Sequence, residues 1–257
     1  LEGATWFKSS ALGDDKDRVL KRGNGEYTYF ASDVAYHLDK LQRGFDTLIN
    51  IWGSDHHGYI KRIAASIQSL GYDSSKFKVQ LVQFANLIKD GSKIKMSTRS
   101  GNFYSLSKLI DEVGKDAARF FYLFKQADQH MDFDIELAKS SNSNNPVYYV
   151  QYAYARINSI ARTLKKNLKD EIHVDIKSFN FNEYEEKIYR KVFEWPKVIE
   201  SAAHKLEPHK IPFYLYELST LFHSYWIKGN EDSKFRFIEK GVLKRFETFV
   251  FLYLIAI

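Results

Sequence analysis

The sequence predicts an α/β domain followed by an all-α helical domain. Residues 1–140 alternate short apolar runs with amphipathic stretches, which is the pattern of strands that are each followed by a helix. Residues 140–145 are the polar run SSNSNN, and the segments beyond it are long and amphipathic with few strand signals. With 257 residues and 44% hydrophobic content, the chain can fill two cores. We therefore place the domains at residues 1–140 and 141–257.

The amino-acid composition indicates the kind of partner that the protein binds and the cellular compartment in which it acts. The net charge is +6, and residues 141–257 carry 18 Lys and Arg against 14 Asp and Glu, so we expect this part to face a polyanion. The chain has no cysteine, which excludes a disulfide framework and fits a reducing cytoplasm. No apolar run reaches the ~18 residues of a membrane span. We therefore expect a cytoplasmic protein that does not associate with a membrane.

Turn and capping residues predict the first elements. Residues 19–20 form a short strand, and residues 23–25 (GNG) form a hairpin turn because both glycines tolerate a positive φ. Residues 27–30 are predicted as the returning strand. A helix then begins near Ser32, which is its predicted N-cap, and ends at Gly44.

The rest of the α/β part is predicted from a strand, turn and helix order. Residues 47–52 are an apolar run suited to a buried parallel strand, and the polar turn of residues 53–58 leads into a helix over residues 59–70. Ligands bind beyond the carboxyl ends of such strands. Residues 79–87 are predicted as one further strand, and Asp90–Gly91 as a hairpin turn. Two helices are predicted at residues 106–113 and 116–125.

The second part is predicted to be a helical bundle. Pro146 suits the first turn of a helix whose N-cap is Asn144 or Asn145. The helix is predicted to continue over residues 147–166, with Val150, Tyr154, Ile157 and Ala161 on one stripe. Further helices are predicted at residues 183–206, 211–228 and 234–256.

Residues 93–102 (KIKMSTRSGN) form a cationic loop that ends near a glycine. Lys93, Lys95 and Arg99 supply fixed positive charges, and Ser97 and Thr98 supply hydroxyl donors. Such a loop can bind a polyphosphate. The spacing of a Walker-type P-loop is absent, and an exposed basic turn without a ligand is the alternative interpretation.

Tyr29 and Asp33 lie four residues apart at a predicted junction between strand and helix. A phenol and a carboxylate could therefore line one pocket, and the carboxylate would suit a cationic substrate, above all a guanidinium that it binds through two hydrogen bonds. The alternative is that Asp33 is only a negative charge at the start of a helix.

Asp55, His56 and His57 follow the apolar run of residues 47–52. Adjacent Asp and His allow a metal site of the kind found in HD-type phosphohydrolases. No second cluster with ligand spacing such as H-x-x-x-H accompanies them, and consecutive residues point in different directions. A turn that contacts a nucleotide fits better, with Asp55 accepting hydrogen bonds from ribose hydroxyls.

Several of these segments resemble one enzyme family. Residues 95–99 (KMSTR) resemble the KMSKS signature of the class I aminoacyl-tRNA synthetases, and residues 53–60 (GSDHHGYI) resemble the second nucleotide-binding turn of that family. The similarity to the arginyl-tRNA synthetases in particular extends from about residue 1 to residue 228. The further segments that carry it are residues 13–18, 27–37, 132–134 and 145–156.

The resemblance implies a fold and a reaction. The fold is the C-terminal half of a Rossmann-like nucleotide-binding domain, followed by an α-helical anticodon-binding bundle. In the reaction, arginine and ATP give arginyl-adenylate and pyrophosphate, and the arginyl group then moves to the 3′ end of its tRNA. The Mg²⁺ would arrive with the phosphates of ATP, without a structural metal in the protein. We expect a monomer.

The resemblance also assigns roles to single residues. Arginine binding is implied for Tyr29, Asp33 and His56. ATP binding is implied for Gly53, Asp55, Lys93 and Met96. Catalytic stabilisation of charge on the departing pyrophosphate is implied for Lys95, Ser97 and Arg99. Contacts with tRNA are implied for Tyr149, Tyr152, Tyr225 and Trp226, by stacking on bases that have left their own stack. The alternative is that these aromatics, which recur at helical spacing, belong to the core.

Two departures from the family pattern affect these expectations. Thr98 replaces the second lysine of the signature, so Lys93, Lys95 or Arg99 must supply the charge. No H-x-G-H sequence occurs, and we expect that motif upstream of Leu1 in a longer parent, without which residues 1–257 would be inactive. An HD-type phosphohydrolase that uses Asp55, His56 and His57 and a non-catalytic RNA-binding module are the alternative functions.

Overall fold

The computed structural model describes residues 3–94, 103–163, 181–239, 242–243 and 245. Contacts divide the chain into two units. The first unit runs to Phe84 and includes Ala127–Met131, and the second unit contains Ala85–Gln126 and the chain from Asp132 onward. This division follows contacts alone, and the functional boundary expected at residue 140 stays a prediction.

The first unit begins with an antiparallel pair, β1 (Thr5–Phe7) and β2 (Arg18–Lys21), of which only β2 was predicted. Asp14 stabilises the connection between these two strands, and its side chain is fully buried. Arg18 binds both of its carboxylate oxygens, with Nε 2.7 Å from Oδ2 and Nη2 2.8 Å from Oδ1. Ser9 Oγ donates a third hydrogen bond to Oδ2 at 2.9 Å. These hydrogen bonds, Arg18 foremost, hold the pKa of Asp14 well below its usual range.

The first helix, α1 (Tyr29–Gln42), begins earlier than predicted. The turn at residues 23–25 is confirmed, since the Gly25 amide donates to the Arg22 carbonyl. The strand predicted at residues 27–30 is wrong, because Thr28 caps the helix. The Thr28 hydroxyl accepts from the Ala31 amide at 3.3 Å and donates to the Val19 carbonyl at 2.8 Å. This link to β2 fixes the helix start, so Ser32 lies inside the first turn and is not the cap.

The parallel strand predicted after α1 is confirmed as β3 (Leu48–Gly53), which pairs with β4 (Phe77–Val82) in parallel from Leu48–Phe77 to Gly53–Val82. The helix α2 (Ile60–Ser69) connects the two strands. One face of this pair packs against α1 and α2. The other face leaves Ile49 and Ile51 45% and 72% exposed, so the strand is buried on one side only. The fully or largely buried core residues are Phe30, Leu41, Leu48, Ile63, Ile67 and Phe77.

The single strand predicted at residues 79–87 is wrong, because the chain forms two strands there. β4 ends at Val82, and β5 (Ala85–Lys89) belongs to another sheet, with the order β6–β5–β7 for β6 (Ser92–Lys93), β5 and β7 (Met131–Asp134). The predicted turn at Asp90–Gly91 is confirmed, since φ is 51° at Asp90 and 72° at Gly91. The predicted helices are confirmed as α3 (Leu106–Val113) and α4 (Lys115–Leu123), and a short α5 (Ile135–Lys139) follows β7.

The helical part of the second unit starts as predicted. The helix α6 (Pro146–Thr163) is capped by Asn145, whose side-chain oxygen accepts from the Val147 amide at 3.0 Å. Its buried stripe contains Ile157 and Ala161 as predicted, whereas Tyr154 is 53% exposed. The helices that pack against α6 or against each other are α7 (Glu183–Phe193), α8 (Trp195–Lys205) and α9 (Lys210–Glu231).

The remaining helix predictions need two corrections. The helix predicted at residues 183–206 is broken between Phe193 and Trp195, where α8 begins. The helix predicted at residues 234–256 is wrong where the structure describes it, since β8 (Ile238–Glu239) and β9 (Val242–Leu243) form an antiparallel pair. A 3₁₀ helix (Ser233–Phe235) precedes this pair, and residues 240–241, 244 and 246–256 lie outside the described residues. Over the described ranges, no helix has the length and hydropathy to cross a membrane.

Two tyrosines of α9 lie in the core of the helical part, and they differ in whether the hydroxyl has a hydrogen-bond partner. Tyr225 is completely buried, and its hydroxyl donates to Glu185 at 2.8 Å while accepting from the Asn182 side chain at 3.3 Å. Asn182 and Glu185 form the capping box of α7, so Tyr225 ties α9 to the start of that helix. The Tyr214 hydroxyl is also buried but has no hydrogen-bond partner among the described residues, and burial raises the pKa of Tyr214 to about 12.

We expect the substitution Asp14→Asn to lower the free energy of unfolding by about 3–5 kcal/mol, because it leaves the largely buried Arg18 guanidinium without its counter-charge. Urea denaturation measures this loss. The control is Asp15→Asn, since Asp15 pairs with Lys61 while both side chains are about two-thirds exposed, and it should leave stability unchanged. Equal stability of Asp14→Asn and wild type would contradict the role of Asp14.

We expect Tyr225→Phe to lower the free energy of unfolding by about 1–3 kcal/mol, because the buried Glu185 carboxylate loses a donor. The matched control is Tyr214→Phe, which removes a buried hydroxyl that has no partner in the described chain and should leave stability unchanged or higher. A larger loss for Tyr214→Phe than for Tyr225→Phe would show that the hydroxyl of Tyr225 does not stabilise the capping box.

Candidate functional site

A cleft of about 410 Å³ lies in the first unit, between α1, β3 and the turn that follows β3. Tyr29, Asp33 and His37 lie four residues apart on α1, so they form one stripe along the helix that faces the cleft. Three of the residues predicted for one site, Tyr29, Asp33 and His56, line it together. The other lining residues are Tyr36, Asn50, Trp52 and Tyr59.

The cleft combines one carboxylate with aromatic walls. Among the described residues that line it, Asp33 carries the carboxylate, and Tyr29 is 92% exposed beside the opening. His56 packs edge-on against Tyr59 with ring centroids 5.5 Å apart. A carboxylate flanked by aromatic rings suits a flat cation, because the carboxylate accepts its hydrogen bonds and the rings attract its charge.

The floor of the cleft is formed by His37 and Asn50, which are 2% and 6% exposed. The His37 ring lies with Nδ1 2.7 Å from the Asp33 carbonyl oxygen and Nε2 2.8 Å from the Asn50 amide nitrogen. The Lys40 ammonium donates to the Asn50 amide oxygen at 2.8 Å. Burial lowers the pKa of His37. Sequence reasoning missed both floor residues, although the i+4 spacing from Asp33 to His37 was available as a signal.

The turn after β3 is a 3₁₀ helix (Ser54–Tyr59) at the carboxyl end of the parallel strand. The Ser54 hydroxyl donates to the Gln83 side chain at 2.9 Å, which joins the turn to the end of β4. The Asp55 side chain lies close to the backbone of Gly53. A Cβ added to Gly53 would be only 2.7 Å from Asp55 Oδ1. Gly53 and Asp55 are thus neighbours at the strand end, and neither lines the cleft.

Asp55 and the two histidines of the turn do not converge. Asp55 Oδ2 is 3.7 Å from His56 Nε2, whereas His57 Nδ1 is 3.3 Å from the Ser54 carbonyl oxygen. Within the described ranges, no three His, Cys, Asp or Glu side chains are grouped as metal ligands would be.

Of the basic loop, the structure describes only residues 93 and 94, which belong to the second unit. Lys93 is exposed on β6, while Lys95, Met96, Ser97, Thr98 and Arg99 lie outside the described residues. On either side of the loop, Lys89 and Tyr104 both bind Glu112 of α3, with Lys89 Nζ 2.7 Å from Glu112 Oε1 and the Tyr104 hydroxyl on Oε2. These hydrogen bonds, led by Lys89, lower the pKa of Glu112 to about 2.

The four aromatic residues predicted to contact RNA have different environments. Tyr149 is half-buried against His223, with ring centroids 4.4 Å apart, and Tyr152 is 40% exposed. Trp226 is half-buried at the surface of α9. The tRNA contact predicted for Tyr225 is corrected by the structure. Tyr225 is completely buried and hydrogen-bonded, and its ring cannot stack on a base without leaving the core.

An arginine that sequence reasoning gave no role connects two of these aromatics. The Arg156 guanidinium lies 4.3 Å from the centre of the Tyr152 ring and 4.8 Å from the centre of the Trp226 ring. Its Nη2 also donates to the Tyr152 hydroxyl at 3.0 Å. The spacing of Tyr152 and Arg156 by four residues on α6 was the available signal. Two aromatic rings therefore hold a cation beside a half-exposed surface.

The chain matches two family models. The model described as "tRNA synthetases class I (R), catalytic domain" matches residues 2–162, and the model described as "DALR anticodon binding domain" matches residues 150–236. An arginine–tRNA ligase from Halorhodospira halophila is 54% identical over 228 residues, which cover 88% of this chain and 39% of that protein. The arginine–tRNA ligase from Pelagibacter ubique is 48% identical over 97% of this chain and 43% of that protein. The chain thus spans about two fifths of the length of these curated relatives.

Solved structures agree with these matches. A putative arginyl-tRNA synthetase from Campylobacter jejuni superimposes with a TM-score of 0.86 and 37% identity, over 100% of this chain and 54% of that one. An arginyl-tRNA synthetase from Thermus thermophilus shares the fold, with a TM-score of 0.75 at 18% identity over 99% of this chain and 51% of that one. A class I catalytic domain followed by a helical DALR domain is confirmed as the fold class, and the phosphohydrolase and the non-catalytic module have no support. The chain belongs to the class I tRNA synthetases of the arginine type.

Proposed function

We propose that the full-length protein attaches arginine to its tRNA through an arginyl-adenylate. The observation that carries this proposal is the cleft in which Asp33, Tyr29 and His56 come together, because it offers a carboxylate and aromatic walls to a guanidinium. The family membership supports the same reaction. Residues 1–140 would be the C-terminal half of a Rossmann-like catalytic domain, and residues 141–257 the anticodon-binding domain. The protein would act in the cytoplasm as a monomer.

Asp33 would select the substrate by its charge. In this proposal, the Asp33 carboxylate accepts two hydrogen bonds from the guanidinium, the Tyr29 phenol contacts the same group, and His56 contacts the polar end of the amino acid. A lysine ammonium would satisfy this geometry less well, because it lacks the planar pair of donors.

The second substrate would be ATP, with Mg²⁺ on its phosphates. Gly53 and Asp55 lie at the carboxyl end of β3, where α/β folds bind nucleotides, and they would contact the adenosine. Lys93 and Met96 would contact ATP from the basic loop. The arginine carboxylate attacks the α-phosphorus, the bond to pyrophosphate breaks, and Lys95, Ser97 and Arg99 would stabilise the charge that builds up on the leaving group.

The third substrate would be tRNA, bound by the helical part. Tyr149, Tyr152 and Trp226 would face its anticodon loop, whereas Tyr225 lies buried in the core. Both Tyr152 and Trp226 already pack on Arg156. We propose that Arg156 supplies a cation for a phosphate or a base edge while the two rings hold it in place.

We expect Asp33→Asn to raise the KM for arginine and to leave the KM for ATP nearly unchanged, because a lost charge-assisted pair costs about 2–5 kcal/mol when it is buried. Arginine-dependent pyrophosphate exchange by the full-length protein, with tRNA present, measures both constants. The control is Asp39→Asn, since Asp39 lies on the same helix with its side chain 68% exposed. Equal effects on both substrates would remove Asp33 from the arginine site.

We expect Trp226→Ala to raise the KM for tRNA by an amount equivalent to about 1–3 kcal/mol, because a stacking platform and one ring beside Arg156 are lost. Aminoacylation kinetics with varied tRNA give this value. The matched control is Ile227→Ala, since Ile227 is the next residue and is 57% exposed. If Trp226→Ala lowers only the melting temperature and leaves tRNA affinity intact, Trp226 belongs to the core and not to the RNA surface.

A further inference from the structure

The floor of the cleft contains a chain of three hydrogen-bonded side chains that the proposed reaction does not yet use. Lys40, Asn50 and His37 follow one another, with Lys40 Nζ 2.8 Å from Asn50 Oδ1 and Asn50 Nδ2 2.8 Å from His37 Nε2. His37 Nδ1 then lies 2.7 Å from the carbonyl oxygen of Asp33, the residue whose carboxylate lines the same cleft.

The order of donors and acceptors in this chain is fixed from the Lys40 end. An ammonium has only donors, so the Asn50 atom that faces it must be the oxygen, and the Asn50 amide nitrogen must face His37. That nitrogen is also a donor, so His37 Nε2 must accept and carry no proton. The Nδ1 proton then donates to the Asp33 carbonyl. Lys40 therefore selects one neutral form of the His37 ring.

We propose that Lys40 and Asn50 are positioning residues that hold His37 uncharged beneath the guanidinium site, so that this ring adds no positive charge facing arginine. This inference rests on the arginine site proposed above. An imidazolium at His37 would repel the guanidinium, because like charges at short range in a partly dry site are weakly screened. Burial of His37, which disfavours its charged form, acts in the same direction.

The charged and aromatic groups that surround His37 determine what else could make arginine binding depend on pH. From α1, Asp33 and Lys40 are charged and Tyr36 packs edge-on at 5.8 Å. From β4, Phe77 packs edge-on at 5.5 Å and cannot titrate. From the 3₁₀ turn, His56 and Tyr59 line the same cleft, and both are unchanged in the variants described next.

The test changes the partner of His37 Nε2 and measures arginine binding against pH. Asn50→Asp replaces the amide donor by a carboxylate, which favours the imidazolium and raises the pKa of His37. The full-length protein is titrated with arginine by calorimetry between pH 8 and pH 6, and the Kd of the variant is divided by the Kd of wild type at each pH. Since protonation increases as pH falls, we expect this ratio to rise about tenfold from pH 8 to pH 6.

A second variant covers the case in which Asn50→Asp does not fold. Lys40→Met removes the ammonium that orients the amide, so Asn50 can turn its oxygen toward His37 and accept a proton there. The Kd ratio should again rise as pH falls. The control is Gln42→Glu, which adds one negative charge at an exposed position of the same helix. Its ratio should stay constant within about twofold over this range, because screened surface charges act weakly.

The outcomes separate this inference from the proposed function. If wild type binds arginine and the folded Asn50→Asp and Lys40→Met variants both give a constant ratio, the charge control by Lys40 and Asn50 is overturned while the arginine site stands. If wild type does not bind arginine at any pH, both the site and the inference are overturned. A rising ratio in either variant together with a flat ratio for Gln42→Glu supports the inference.

Discussion

The start of α1 is the constraint on which the cleft depends. Thr28 fixes it, because its hydroxyl donates to the Val19 carbonyl of β2 while it accepts from the Ala31 amide. With the helix beginning at Tyr29, the residues Tyr29, Asp33 and His37 follow at intervals of four and share one face. A helix that began at Ser32 would leave Tyr29 on an extended segment and separate the phenol from the carboxylate. The hairpin that precedes α1 thus sets the geometry of the site that α1 carries.

The sequence allowed the prediction of elements that are set by local chemistry. The turn at Asp90–Gly91 needs two residues with positive φ, and the start of α6 needs a capping side chain before Pro146, so both could be predicted. The break between β4 and β5 depends on a partner far away in sequence, since the Gln83 amide donates to the Ala127 carbonyl at 2.8 Å, and no local pattern shows it. The cap by Thr28 was a local signal that sequence reasoning missed, because Thr is a common N-cap and its partner Ala31 is three residues away. The sequence also could not show that Tyr225 is buried while Trp226 is partly exposed. The two aromatics are adjacent on one helix, and their burial depends on which other segments pack against each of them.

Three buried polar side chains, drawn from both units, are each held by hydrogen bonds from or to named partners. Asp14 receives hydrogen bonds from Arg18 and Ser9, Glu185 receives one from Tyr225, and His37 is held between Asn50 and the Asp33 carbonyl. Each arrangement avoids the cost of a buried group without a partner. At Asp14 and Glu185 the result is a firmly placed chain segment. At His37, the result is a ring fixed in one orientation at the floor of the cleft.

Gly53 shows how a residue can place a neighbouring side chain without being needed by the strand that contains it. A Cβ there would meet the carboxylate tip of Asp55, and that side chain is more than half exposed and free to turn away. An alanine would therefore displace Asp55 while leaving β3 and its pairing with β4 intact. A screen for folding stability would therefore not detect this substitution, whereas a screen for the proposed reaction would detect it if Asp55 contacts the adenosine.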